Sequence, residues 1–177
     1  DPVGQVVQCG QALRPDGLFM AACFGGQTLV ELRTTLSVAE TDLRGGLSPR
    51  VSPMAEIREL GAILQRARLA LPVADSLKIP TTYRDIFHLM HDLRAMGETN
   101  IMTARGTNLT TKSLFDRAQL IYTKEYASPE GRLSCTFDLI FLSGWAPDAS
   151  QPKPLRPGSV SKTLQQALKE AKTSSSN

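Results

Sequence analysis

This 177-residue sequence has few of the residues on which small catalytic or stapled domains depend. It holds two histidines and three cysteines, and only 6% of its residues are aromatic. Cys9, Cys23 and Cys135 are odd in number and far apart, so they spell neither a disulfide framework nor a CxxC metal knuckle, and a reducing compartment is expected. No apolar run approaches the roughly 18–20 residues of a membrane-spanning helix, which excludes a span. Charge of one sign is lacking as well. Residues 151–177 carry Lys153, Arg156, Lys162, Lys169 and Lys172 against Glu170, while the first 150 residues hold 15 basic and 16 acidic side chains. Without a positive body to neutralise phosphates, nucleic acid is not an expected partner. The nucleotide, dinucleotide and zinc-protease signatures GxxxxGK[ST], GxGxxG and HExxH are absent, as is the GxSxG elbow. The only histidines, His88 and His91, stand three apart beside Asp92 but have no clear third ligand, and read as ordinary surface or boundary residues.

Apolar content of 41% is that of a globular chain. A domain of this length buries about 70% of the surface its unfolded chain exposes. The periodicity predicts a weak helix over 3–13, stopped by Arg14-Pro-Asp-Gly17. Leu18 to Phe24 is continuously apolar between glycines, as for a strand buried on both faces of a parallel sheet. Thr28 and Glu31 have capping-box spacing and open a helix through Leu29, Leu32, Leu36, Ala39 and Leu43, closed by Gly45-Gly46. Ser52-Pro53 suits the start of another helix, and Val73 to Ile79 a short strand bracketed by Pro72 and Pro80. Helices are expected from Thr82 to near Gly97 and around Leu114 to Tyr126. Between them, 100–110 reads as a polar loop. Arg132 to Ser143 alternates and is expected to be the longest strand. The Pro, Lys and Ser-rich stretch from 147 reads as an arm, with Ser161 placed to cap a last helix. Together these make an α/β chain with units at 1–146 and 147–177.

Two adjacent glycines at the end of a buried strand, followed by a helix start, are where an open α/β sheet admits a ligand. Gly25, Gly26, Thr28, Glu31 and Arg33 are therefore candidate pocket residues. On the other reading the glycines only make the turn, Thr28 and Glu31 only cap the helix, and Arg33 is solvated. Arg50, between Pro49 and Val51, is either an anion contact or a loop arginine. Glu98 and Asn100, after Gly97, are either pocket residues or an ordinary helix stop.

The runs LRPDGLF (13–19), GGQTLVELR (25–33), SPRVSP (48–53), LMHDLRAMGETN (89–100) and GWAPDASQPKP (144–154) resemble the carboxy-terminal half of class I S-adenosylmethionine-dependent methyltransferases. The resemblance covers about residues 1–159. Within that superfamily the branch is the alphaproteobacterial and mitochondrial one linked to complex I assembly, and the malonyl carrier-protein methyltransferases of biotin synthesis are more distant relatives. It implies the C-terminal portion of a Rossmann-like sheet, with Leu18–Phe24 its fifth strand, a long antiparallel last strand, and helices inserted over 27–67 and 82–127 as a lid and sheet cover. It also implies adenosylmethionine as cofactor, with most of its site upstream of Asp1; the missing initiator Met and the absence of a leader fit an absent N-terminal cofactor half. It carries over Gly25, Gly26, Thr28, Glu31, Arg33 and Arg50 as pocket positions, with Glu98 and Asn100 weaker, and no catalytic residue. The partner implied is a protein substrate such as a complex I subunit, in the bacterial cytoplasm or the mitochondrial matrix. Alternatives are a non-catalytic assembly module and a carrier-protein or small-molecule methyltransferase. An unpaired edge at Leu18–Phe24 would favour self-association.

Overall fold

The computed structural model describes residues 1–106 and 109–152. The last helix expected from Ser161 lies outside the described residues. Contacts divide the chain into two units, Asp1–Pro147 and Asp148–Asn177. In the second, the Asp148 carboxylate accepts from the amide and hydroxyl of Ser150, closing a turn.

In the first unit the order is α1 (Pro2–Ala12), β1 (Leu18–Phe24), α2 (Val30–Arg44), α3 (Ile57–Arg66), β2 (Ala70–Tyr83), α4 (Ile86–Ala95), α5 (Lys112–Tyr126) and β3 (Leu133–Trp145). The fold is mixed α/β. Its three strands lie in the order β1-β3-β2, and β3 runs antiparallel to both neighbours. Antiparallel pairing of β1 with β3 agrees with the long antiparallel last strand that the resemblance implies, but the expected burial of Leu18–Phe24 on both faces is corrected: β1 lies at an edge and its positions are half-buried or exposed, with Met20 72% exposed. A continuous apolar run signals two covered faces, yet among the described residues only Phe19, Ala21 and, at the strand's end, Phe24 pack against a core.

The strand expected between the two prolines instead spans 14 residues, one more than β3, so β3 is not the longest. The prolines are accommodated rather than terminating. Pro80 sits opposite Thr136 on an edge strand, where a missing amide costs no ladder bond, and Pro72 falls in the irregular register between Ala70 and Val73. The start of α3 is likewise later than Ser52-Pro53 suggested. Glu56 is its N-cap, with Glu59 completing a reciprocal capping box.

Alternation along β3 builds two cores on opposite faces. Leu133, Cys135 and Phe137 pack with α2, α4 and α5 through residues such as Leu36, Leu89, Leu114 and Tyr122. Ile140 and Leu142 point the other way, against Leu60, Ile63 and Leu64 of α3, with Val3 and Val6 of α1 alongside. Beyond Phe137 the first face is uncovered among the described residues, and Met20, Val73, Leu77 and Phe141 are exposed on it. Burial pushes the Cys135 thiol up to about 12, the nearby Glu31 carboxylate adding to the shift. Cys9 and Cys23 are exposed. A thiol-specific reagent at neutral pH is therefore expected to titrate two cysteines in the folded chain and the third only on denaturation.

Candidate functional site

After Phe24 the chain leaves the sheet, but residues 25–31 continue to satisfy the edge of β3. Gly25 N donates to Asp138 O at 2.7 Å and Leu29 N to Thr136 O at 2.8 Å. Between them the Thr28 hydroxyl accepts from Asp138 N at 2.9 Å and donates to Asp138 O at 3.0 Å. The Glu31 carboxylate accepts from Thr136 N and from the Thr136 hydroxyl. The turn thus stands in for the strand that β1 no longer supplies, at positions where a buried amide or carbonyl would otherwise lack a partner.

This overturns the local capping box. The spacing of Thr28 and Glu31 is right for one, but both side chains are committed to β3, and α2 begins at Val30 from Leu29 with no side-chain cap. Leu29 takes a left-handed conformation, φ 55°, which costs a bulky residue about 1–2 kcal/mol and is held by its bond to Thr136. Arg33 closes the turn from behind, donating from Nη2 to Gly26 O at 2.8 Å and Thr28 O at 3.0 Å.

The glycines do not open a cradle. A Cβ on Gly25 would lie 2.5 Å from Asp138 Oδ2 and 2.6 Å from Ile140 Cδ1, and one on Gly26 would run into the Glu56 carboxylate. The space beside both is filled by the chain's own side chains, so the two glycines do not open the substrate pocket for which the resemblance makes them candidates.

A second assembly lies at the other end of α2. Leu29, Leu32 and Leu36 set a buried stripe, and the next step of four places Glu40 on it with a side chain 2% exposed. Its carboxylate accepts from Arg50 Nη2 at 2.9 Å and Ser48 N at 3.0 Å, with Arg44 at 3.5 Å. Burial pushes the Glu40 carboxyl upward, but the Arg50 hydrogen bond, the Ser48 amide and the charges of Arg50 and Arg44 outweigh it and hold it below the usual range. Arg50 Nη1 also donates to Thr110 Oγ1 at 3.0 Å, and Asn100 Nδ2 to Pro49 O at 2.9 Å. Arg50 is thereby a bracket joining α2, the loop before α3 and the loop before α5.

Beside the bracket is a cavity of about 240 Å³ between α2, α4, the start of α5 and the 50–54 loop. Leu29, Leu32, Leu93 and Phe115 supply apolar walls, and Arg50, Arg94, Glu98 and Asn100 supply polar groups. Of the sequence candidates it gathers Arg50, Glu98 and Asn100. Arg33 lines an adjoining space of about 270 Å³ with Arg50, while Gly25, Gly26, Thr28 and Glu31 line neither. Arg94, Glu40 and Asp138 were not singled out in the sequence; for Glu40 the signal was present, since it falls in the phase of the apolar stripe. His88 Nδ1 accepts from Arg84 at 3.1 Å on the surface. Among the described residues no group of three metal-ligating side chains is assembled, and no helix is long and apolar enough to cross a membrane.

No family model matches the chain. It is 44% identical over 151 residues to the mitochondrial arginine-hydroxylase NDUFAF5 of Dictyostelium discoideum, an alignment covering 85% of this chain and 34% of that protein. With the protein of the same name from Homo sapiens it shares 37% over 148 residues, 84% of this chain and 43% of the other. With the malonyl-[acyl-carrier protein] O-methyltransferase of Xylella fastidiosa it shares 34% over 142 residues, 80% and 45%. These relatives are the two groups that the GGQTLVELR and LMHDLRAMGETN runs resemble. The chain spans about a third to a half of the length of the curated relatives it matches. Two solved structures also align: YcgJ of Bacillus subtilis, with TM-score 0.44 and 14% identity over 84% of this chain and 59% of that one, and a putative methyltransferase of Bacillus halodurans, with TM-score 0.45 and 12% identity over 83% and 63%. The sequence identity, rather than this loose overlap, carries the relationship.

Proposed function

We propose that the chain forms the substrate-binding part of an adenosylmethionine-dependent methyltransferase-like protein that modifies a protein side chain during respiratory complex I assembly. The observation that carries the reading is the 240 Å³ cavity, roofed by inserted helices, in a chain 44% identical to an arginine-hydroxylase over most of its length. Its apolar walls suit an aliphatic stem, and Arg94 and Glu98 stand at the rim without a side-chain partner among the described residues, free to meet a polar head group. The cofactor would be held by the part of the relatives' length that this chain does not span, as the resemblance implies. Arg50 and Asn100 then act as positioning residues that fix the wall of the cavity, and no chemical step is assigned to them.

The test is mass spectrometry of peptides carrying arginine, lysine or glutamine, incubated with the chain together with the segment of the Dictyostelium relative that the match leaves out, plus adenosylmethionine. Modification of one residue type, lost in Glu98→Gln, supports the reading. No modification of any peptide, or unchanged modification without this chain, refutes it. The filled glycine turn favours a second reading, a non-catalytic assembly module. In either case the location is the matrix for a eukaryotic chain and the cytoplasm for a bacterial one.

The free edge of β1 and the uncovered apolar face supply a further expectation. In this reading other parts of a longer protein cover them, so the 177-residue chain by itself self-associates. Light scattering at high concentration should show dimers or larger species; a monodisperse monomer would show that the edge protects itself.

A further inference from the structure

The loop before α3 and the loop before α5 are tied at three points. Ser48 Oγ accepts from Gly106 N at 2.7 Å, Asn100 Nδ2 donates to Pro49 O, and Arg50 Nη1 donates to Thr110 Oγ1. A large aliphatic residue adjoins each tie: Leu47 beside Ser48, Ile101 beside Asn100, Leu109 beside Thr110. They are 68%, 80% and 94% exposed. Exposed loop tips are usually small or polar, and nothing in either core explains aliphatic side chains held in solvent by hydrogen bonds next door.

The helix ends beside these loops add cations. Arg44 and Arg50 are spent on Glu40, but Arg94, Arg105 and Lys112 are exposed and have no carboxylate partner among the described residues. Glu98 is the single acidic residue between 94 and 112. Arg50, Arg94, Glu98 and Asn100 line the cavity, and the exposed aliphatic and cationic side chains continue from them along the two tied loops and the adjoining helix ends as an apolar and positively charged rim.

We infer that this rim docks an acidic protein segment bearing exposed aliphatic residues, which presents one side chain to the cavity. The inference rests on reading the cavity as a side-chain site. Charge complementarity selects the acidic segment, since unpaired cations beside aliphatic tips repel a basic one and leave a purely polar one without apolar contacts. Two tied loops flanking a cavity also suit a chain segment better than a flat bilayer.

The test is fluorescence anisotropy of the full 177-residue chain with three short labelled peptides of matched length, rich in Glu and Leu, Lys and Leu, or Glu and Ser. The Glu/Leu peptide should bind, weakening as salt is raised, and the other two should bind at least about tenfold more weakly. The pairs Leu47→Ser/Ile101→Ser and Arg105→Glu/Lys112→Glu should each cost about tenfold in affinity with the melting temperature unchanged, because these side chains are exposed. Equal binding of the Lys/Leu peptide, no binding of any peptide, or indifference to both variant pairs would overturn the proposal. So would binding to anionic phosphatidylglycerol vesicles without peptide binding, which would assign the rim to a membrane. Failure of the functional reading has a different signature: the Glu/Leu peptide binds with these variant effects, yet no peptide is modified when cofactor and the remaining segment are supplied.

Discussion

Replacing Arg50 with alanine is expected to destabilise the chain by about 3 kcal/mol near neutral pH, because Glu40 is left as a buried carboxylate without its main partner. For a chain of this size that corresponds to roughly 6–12 °C in thermal midpoint. Arg50→Lys should recover part of it, since an ammonium can meet Glu40 or Thr110 but does not reproduce the fork that reaches both. The effect also depends on pH. Glu40 has a folded-state pKa held below the ordinary carboxylate range, so its ionised form contributes stability that is complete above the unfolded-state value and disappears as pH falls through the lower folded-state value. Denaturant melts of the wild type and Glu40→Gln should therefore differ at neutral pH and converge in acid. If Arg50 were only a substrate contact, Arg50→Ala would leave stability untouched at every pH.

Thr28→Val should be almost as damaging, at about 2–3 kcal/mol, although the two side chains have nearly the same shape. Valine strands the buried amide of Asp138, whose partner is the Thr28 hydroxyl, and takes one of the two bonds to its carbonyl, which keeps Gly25 N. Thr28→Ser, which keeps the oxygen, should recover most of the loss. Urea unfolding of the three proteins separates the accounts: if Thr28 merely capped α2, valine would typically cost about 1 kcal/mol. Equal stability of Val and Ser variants would remove Thr28 from the edge of β3 altogether.

The comparison of Thr28 with Glu56 shows what the sequence could and could not reveal. Local signals located the elements: the apolar steps of three and four marked α2, α4 and α5, and Gly45 and Gly97, both at positive φ, ended two helices where expected. The capping pair at Thr28 and Glu31 was misread because the same two side chains can satisfy a helix end or a neighbouring strand edge, and only the position of β3 decides. Glu56, with no Ser or Thr to announce it, makes the capping box that Ser52-Pro53 did not. Pro80 suggested the end of a strand because an edge position, where proline is harmless, is a property of the sheet. At the candidate site, the places of Arg50, Glu98 and Asn100 were legible only through the resemblance, and the three line one cavity. The role of Arg50 was not, since its partners Glu40 and Thr110 lie 10 and 60 residues away.

Calorimetric titration of adenosylmethionine tests the central claim most directly, with the 177-residue chain alone and then with the segment of the Dictyostelium relative beyond the match. The account predicts no heat of binding for the chain alone and saturable binding when that segment is present, at a stoichiometry of one. Saturable binding by the chain alone, or by neither sample, would contradict it; the first would place a cofactor site within these 177 residues, and the second would leave the assembly-module reading.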